Sequence, residues 1–158
     1  MFKEMSKRKD LDFWGNSMNT KFNTHLQSYF LVFRKKVLNS PSFHQFMNSV
    51  SHQQDGSLYI LKYEINLTSY LESLGYKWGY YLPYEKMSHL PIKDKNTYPL
   101  TLIQGYHNQF LKRRTFTEKL LILEDIDKLL EYIQKHHQRT YLDILSAHHP
   151  RLQHLQPK

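Results

Sequence analysis

The chain has 158 residues, of which 40% are apolar and 15% aromatic, with a formal net charge of +8 and no cysteine. This aromatic content excludes a disordered chain, and the length is sufficient for one domain with a buried core. The absence of cysteine excludes disulfides and thiolate metal sites and favours a reducing, cytoplasmic location. No run of 18 apolar residues is present, so neither a membrane span nor a signal peptide is predicted. The positive charge favours anionic partners without selecting among them.

The first half of the chain predicts a short sheet with flanking helices. Polar residues 1–10 are expected to lack regular structure. Three strands are predicted, over residues 11–15, 26–33 and 76–84, and the aromatic, β-branched run 26–33 is typical of a buried central strand. Two helices are predicted between the second and third strands, one starting at Ser40-Pro41 and one covering 58–74 and ending at Gly75.

The second half predicts helices and loops. A loop over 85–98 is followed by a short helix over 100–106. The capping-box spacing at Thr115 opens a long helix, and a last helix begins near Thr140 and ends before Pro150. The chain is therefore predicted to be an α/β domain with a short sheet and a C-terminal helical tail.

Glu64 interrupts the apolar stripe of the predicted helix over 58–74. It lies four residues after Ile60 and three before Leu67, so it points to the same side as these apolar residues. A carboxylate facing a core or a cleft is unfavourable unless it is paired or used in chemistry. Two interpretations remain open: a boundary glutamate that reaches solvent or pairs with Arg or Lys, and a functional carboxylate.

Other motifs give weaker signals. Asp10-Leu11-Asp12 has the Asp-x-Asp pattern of divalent-cation sites for sugar nucleotides, but the apolar strand follows it instead of preceding it, which favours coincidence. The adjacent histidine pairs at 136–137 and 148–149 diverge on a helix and predict no metal site. Glycine-rich motifs for dinucleotides or a P-loop are absent from the sequence.

Several segments, in order along nearly the whole chain, resemble the rhamnan synthesis protein F family. The most specific are Asp-Phe-Trp-Gly at 12–15 and the following His-Leu-Gln-Ser-Tyr-Phe at 25–30. Further segments match the family's serine-flanked helix, its Tyr-Glu-x-x-Leu-Thr motif, its Phe-Leu-Lys-Arg stretch and its closing helix, at 40–46, 63–68, 110–113 and 141–145.

The resemblance implies a bacterial glycosyltransferase that transfers a sugar, with dTDP-rhamnose as donor, to a growing cell-wall, capsular or lipopolysaccharide chain. The fold it implies is similar to GT-A glycosyltransferases. By position, Glu64 would be the general base that takes the proton from the acceptor hydroxyl. The resemblance also suggests residues that contact the substrate, namely His25, Gln27, Trp14, Tyr63 and Trp78. A core or rim role stays open for His25, Gln27 and the two tryptophans.

The resemblance further implies that this chain is the C-terminal half of the enzyme. The nucleotide-binding half, with its metal-binding acidic residues, would precede Met1, which would leave residues 1–98 as the acceptor half, 99–150 as a helical extension and 151–158 as a tail. The fragment is then expected to bind no cofactor and to be inactive alone, whereas full-length relatives would use Mg²⁺ or Mn²⁺. Its expected partners are a nucleotide sugar and a lipid-linked saccharide acceptor at the inner membrane face.

Two non-enzymatic interpretations remain. A basic module could bind nucleic acid or an anionic membrane through the basic and aromatic stretch 110–116, although no nucleic-acid partner is expected. Alternatively, the short sheet could expose an edge that pairs with a partner glycosyltransferase or a second copy.

Overall fold

A computed structural model describes residues 1–90, 95–111 and 126–136 of the chain. The chain divides into two compact units, Met1–His89 and Leu90–Lys158. The described part is mixed α/β, with a small mixed sheet and flanking helices, as the sequence predicts.

The first unit contains five short strands: β1 Phe13–Gly15, β2 Met18–Asn19, β3 His25–Leu26, β4 Leu31–Phe33 and β5 Trp78–Tyr80. Its helices are α1 Phe2–Met5, α2 Lys35–Leu38, α3 Pro41–Asn48, α4 Gly56–Tyr59 and α5 Ile65–Ser73. A π-helical segment, Ile60–Glu64, joins α4 to α5, and Tyr84–Met87 forms a 3₁₀ turn. The β1 strand lies in the middle of the described sheet, with β4 antiparallel on one side and β5 parallel on the other. A separate two-stranded ribbon pairs β2 with β3.

The prediction of a single central strand over 26–33 is wrong. Its two ends belong to different sheets, because β3 pairs with β2 and β4 lies at the described edge of the three-stranded sheet. Between them, Gln27 and Tyr29 direct their side chains to Ser17 through hydrogen bonds. A pattern of apolar residues carries no information about side-chain hydrogen bonds, so residues 26–33 were predicted as one continuous strand. The predicted strands at 11–15 and 76–84 are confirmed over β1 and β5.

Both faces of the sheet are covered. On one face Phe13 packs in a buried cluster with Val37 of α2, Phe43 of α3 and Leu71 of α5. On the other face Trp14 packs with Leu11 and Met5, as expected when alternate residues of β1 point to opposite sides. Sheet and helices therefore share two small cores.

The helix start predicted at Ser40 and the helix end predicted at Gly75 are both confirmed. The Ser40 hydroxyl accepts a hydrogen bond from the Phe43 backbone N–H at 3.2 Å, and Pro41 occupies the first turn of α3. Gly75 follows α5 with a φ of 84°, a conformation that glycine adopts without a Cβ clash. The predicted helix over 58–74 corresponds to α4, the π-helical segment and α5 in succession.

The expectation that residues 1–10 lack regular structure is wrong for their first part. Phe2–Met5 forms a short helix, and Met5 is buried. The Phe2 ring meets Trp14 and Phe30 edge-to-face, with centroid distances of 5.5 and 5.7 Å. Two apolar residues at positions 2 and 5 are sufficient to dock one helical turn on the sheet, which the polar average of the segment obscures.

In the second unit, a 3₁₀ turn at Lys95–Thr97 precedes α6, Pro99–Tyr106, which confirms the predicted short helix. The helix α7, Ile126–His136, packs on α6 through a buried cluster of Ile103, Leu129, Leu130 and Ile133. It confirms the later part of the long helix predicted from Thr115. The predicted helix start at Thr115 and the helix predicted from Thr140 lie outside the described residues.

Candidate functional site

A group of buried polar residues follows the carboxyl end of β1. Asn16 and Ser17 come directly after Gly15 and are both fully buried. The Ser17 Oγ donates to the Gln27 side-chain oxygen at 2.6 Å and lies 2.7 Å from the Tyr29 hydroxyl. The Asn16 amide also donates to Tyr29, at 2.7 Å. Because open α/β sheets bind ligands at the carboxyl ends of their strands, this polar group lies where a ligand site is expected.

Glu64 reaches this end of the sheet from the last position of the π-helical segment. Its Oε2 accepts a hydrogen bond from the Ser28 backbone N–H at 3.0 Å and another from the Ser28 hydroxyl. Its side chain is only 20% exposed. The partners of this carboxylate are therefore His25 and Ser28, whereas the sequence suggested Arg or Lys.

His25 lies beneath Glu64 and is almost completely buried, with 3% of its side chain exposed. Its Nδ1 is 2.6 Å from the Asn23 carbonyl oxygen, and its Nε2 is 3.6 Å from Glu64 Oε1. A carbonyl oxygen only accepts, so Nδ1 carries a proton. The Nε2 edge of the ring faces the Glu64 carboxylate, so His25 and Glu64 are in direct contact.

These contacts determine the ionisation of Glu64. Burial alone would raise its pKa, but the interactions with His25 and the hydrogen bonds from Ser28 outweigh burial and lower the pKa to about 2. Glu64 is therefore a carboxylate throughout the neutral range, and it lies next to exposed Ser28.

Tyr63 precedes Glu64 and binds the loop after α3. Its hydroxyl accepts hydrogen bonds from the Ser51 backbone N–H at 3.0 Å and the Gln53 side-chain amide at 3.1 Å, and the Ser51 hydroxyl lies 3.0 Å away. These bonds from Ser51 lower the pKa of the Tyr63 phenol to about 8. The π-helical segment thus places two groups with lowered pKa values in consecutive positions, a feature that fits the frequent occurrence of π-bulges at functional sites.

The remaining residues suggested by the resemblance are distributed differently. His25 and Glu64 are in direct contact, and Gln27 lies two residues from His25 in the buried polar group. Trp14 is 3% exposed and its ring contacts Phe2 and Phe30, which supports a packing role. Trp78 begins β5, at the opposite end of the parallel pair from Asn16 and Ser17.

The divalent cation that the resemblance implies finds no matching ligands in the described parts of the chain. Asp12 accepts hydrogen bonds from the Lys36 side chain at 3.0 Å and the Lys77 backbone N–H at 2.9 Å. Asp10 is paired with Arg8 at 2.8 Å. No cluster of three His, Asp or Glu side chains suited to a metal occurs within the described ranges. These carboxylates organise the start of β1.

Sequence reasoning identified Glu64, His25 and Gln27 but missed Ser17, Ser28 and Ser51, whose hydroxyls interact with Gln27, Glu64 and Tyr63. Serine is common in loops, so its presence alone carries no signal. The basic and aromatic stretch 110–116 lies mostly outside the described residues, and its role as an interaction segment stays a prediction. Among the described residues, no helix is both long and apolar enough to cross a membrane.

Comparison with known protein families finds a match that covers almost the whole chain. Residues 1–157 match the family described as rhamnan synthesis protein F. Comparison with curated proteins and with solved structures finds no match. The family description indicates a part in the synthesis of rhamnan polysaccharide. With the segments at 12–15, 25–30 and 63–68 and this match over 157 residues, the chain belongs to the rhamnan synthesis protein F family.

Proposed function

We propose that the chain carries the acceptor side of a glycosyltransferase of rhamnan synthesis, with Glu64 as the general base. The observation that carries this proposal is the ionised, largely buried Glu64 carboxylate, held by His25 and Ser28 near the carboxyl end of β1. The proposed fold relationship is to the acceptor half of GT-A enzymes, supported by the parallel β1–β5 pair with polar residues beyond its carboxyl end.

The proposed reaction transfers a sugar from a nucleoside diphosphate, with dTDP-rhamnose as the donor. A hydroxyl oxygen of the saccharide acceptor attacks the anomeric carbon while the bond from that carbon to the phosphate oxygen breaks. The nucleoside diphosphate leaves with the bonding electrons, and Glu64 receives the acceptor's proton. Proton transfer to a positioned carboxylate of this kind typically contributes about 10²–10⁴-fold in rate.

Ser28 indicates how an acceptor would meet Glu64. Its exposed hydroxyl donates to Glu64 Oε2, which is the interaction that an acceptor hydroxyl would make. An acceptor hydroxyl that displaces the Ser28 hydroxyl donates to the same Oε2, which points the acceptor's proton at the group that receives it. In the proposed site, His25 positions Glu64, while Gln27 and Tyr63 hold the backbone around it.

The base is tested with Glu64→Gln, which keeps the shape of the side chain and removes its charge. Transfer of rhamnose to a lipid-linked acceptor is measured with the chain in its native assembly. We expect the rate to fall by about 10²–10⁴-fold. Glu131→Gln, an exposed glutamate of α7, is the matched control and is expected to keep the rate within about twofold. A folded Glu64→Gln protein with the native rate would contradict the proposed role.

The donor is tested separately by calorimetric titration of the purified chain with dTDP-rhamnose and Mg²⁺, with UDP-glucose as the comparison. Because the chain is proposed to carry the acceptor side of the enzyme, we expect no saturable binding of either donor to this chain alone. Saturable binding of dTDP-rhamnose would overturn the assignment of the chain to the acceptor side and give it a donor site.

A further inference from the structure

A second surface of the first unit has features of a ligand site and lies away from Glu64. A groove of about 660 Å³ opens at the amino end of the parallel β1–β5 pair. Its walls come from the segment before β1, from the last turn of α5 and from β5 with the residues that precede it. Asn16, Ser17 and the Glu64 region lie beyond the other end of β1, so the two sites are at opposite ends of the strand pair.

Aromatic rings form much of this groove. Trp78 and Tyr80 are two residues apart on β5, so they face the same side of the sheet, with ring centroids 6.3 Å apart. Tyr76 adds a third ring to the lining. All three are half-buried. The indole Nε1 of Trp78 donates to Glu72 Oε1 at 3.0 Å, which fixes the orientation of the ring.

The charges of the groove balance, unlike those of the chain. Arg8 and Lys77 contribute two positive charges, and Asp10 and Glu72 contribute two negative charges. The chain as a whole carries a formal charge of +8. A site for a phosphate, a nucleic acid or an anionic lipid would concentrate positive charge, and this groove does not. Its exposed ionic groups instead offer both donors and acceptors of hydrogen bonds.

Such a lining matches an uncharged sugar ring. One face of a pyranose presents C–H groups, which pack on the electron-rich face of an aromatic ring, while its hydroxyls both donate and accept hydrogen bonds. We propose that this groove is a second saccharide-binding site, which holds a neutral pyranose of the polysaccharide with Trp78 as the stacking ring. The choice of a saccharide as ligand rests on the proposed function, whereas the location of the site rests on the groove.

The test uses the two tryptophans as reporters. Trp14 is buried in the core and Trp78 lies in the groove, so the chain has one indole N–H signal for each environment. A neutral rhamnose trisaccharide is titrated into ¹⁵N-labelled protein and the two indole signals are followed by NMR. We expect a saturable shift of the Trp78 signal and no shift of the Trp14 signal. An absent Trp78 shift in folded protein would overturn the proposal.

Two variants locate the binding. Trp78→Ala is expected to weaken trisaccharide binding at least tenfold, as measured by calorimetry. Because Trp78 also packs on the core, its substitution could disturb folding, so Glu72→Ala provides a second test at an exposed position. Glu72→Ala removes the hydrogen bond that orients the Trp78 ring, and we expect the trisaccharide affinity to fall by about threefold to tenfold. Asn66→Ala, an exposed residue of the same helix outside the groove lining, is the matched control and should bind as the native chain does. Unchanged affinity in Glu72→Ala together with unchanged affinity in a folded Trp78→Ala would overturn the proposal.

Ligand class and proposed function are separated by two further measurements. An acidic oligosaccharide of the same length that binds at least tenfold more tightly would show an anion site and overturn the neutral-sugar assignment. Glu64→Gln is expected to keep the native Trp78 shift because Glu64 lies at the other end of the strand pair. If Glu64→Gln loses transfer but keeps the Trp78 shift, both proposals are supported. If Glu64→Gln keeps both the native transfer rate and the Trp78 shift, Glu64 is not the general base, and the saccharide site in the groove still stands.

Discussion

The two ends of the β1–β5 pair differ in how they treat charged groups: the carboxyl end buries a carboxylate, and the amino end leaves its ionic groups in water. At the carboxyl end, burial would destabilise the charge of the Glu64 carboxylate, and the donors from Ser28 and the contact with His25 compensate. At the amino end, the groove around Trp78 exposes its ionic groups to water and half-buries its aromatic rings. The first arrangement controls the charge of one group, as proton transfer requires. The second offers surface and shape, as binding requires.

The largest effect on stability is expected at the carboxyl end. The pKa of Glu64 falls from an ordinary 4.5 to about 2 on folding, a shift that corresponds to about 3 kcal/mol as an upper bound. Glu64→Gln should therefore lower the free energy of unfolding at pH 7 by up to about 3 kcal/mol. Urea unfolding followed by circular dichroism measures the difference.

The pH dependence of this effect has a defined direction. Since folding lowers the pKa of Glu64, its stabilisation is complete above the unfolded pKa of 4.5 and is lost as the pH falls towards about 2. The stability difference between the native chain and Glu64→Gln should shrink through this interval. A difference that stays constant from pH 7 to pH 3 would contradict the interpretation that the buried charge causes it.

A smaller effect is expected at the amino end, where β5 passes close to Leu11. A Cβ added at Gly79 would lie 2.7 Å from Leu11 Cδ1, and Leu11 is itself buried beside Met5 and Trp14. Leu11 has little room to move, so Gly79→Ala should destabilise the chain by about 1–3 kcal/mol. Thermal unfolding checks this value.

The control for this substitution is Gly56→Ala, where an added Cβ meets no atom within 4 Å. It should change stability by less than about 0.5 kcal/mol or stabilise α4 slightly. Leu11 also lines the groove, so Gly79→Ala should weaken trisaccharide binding as well. Equal stability of the two alanine variants would show that β5 is not packed closely against Leu11.

The smallest effect distinguishes the two ends spectroscopically. Donors from Ser51 lower the pKa of Tyr63 to about 8, whereas burial and the acceptor Glu85 raise the pKa of Tyr80 to about 12. Absorbance at 295 nm during alkaline titration should show the Tyr63 phenol ionising near pH 8. Tyr63→Phe should remove that step and Tyr80→Phe should leave it. A titration in which Tyr63→Phe retains the step near pH 8 would contradict the assigned hydrogen bonds.

The sequence predicted those helix starts and ends that are set by residues within the same short segment. Ser40-Pro41 caps and starts α3, and Gly75 ends α5 with a positive φ, because these side chains and backbone angles act on their own segment. The strands β1 and β5 were also predicted near their observed positions, whereas β2 was not predicted and 26–33 was predicted as a single strand. The error at 26–33 arose because apolar character does not reveal which strand a segment pairs with.

The candidate site was predicted in part for a similar reason. Glu64 stood out because a carboxylate on an apolar stripe is energetically unusual, but the π-helical segment changes the register of that stripe, and Ile60 is 40% exposed. Ser28 is 36 positions from Glu64, so no local pattern could connect them.

The sequence by itself determined the start of α3 at Ser40, the end of α5 at Gly75, the mixed α/β class and the membership of a family of rhamnan synthesis. Only the tertiary structure decided which side chains meet at each end of the β1–β5 pair. Ionisation of Glu64 and orientation of Trp78 depend on donors and acceptors brought close by folding, because hydrogen bonds and charge interactions in a protein act over a few ångströms in space, whatever the separation along the chain.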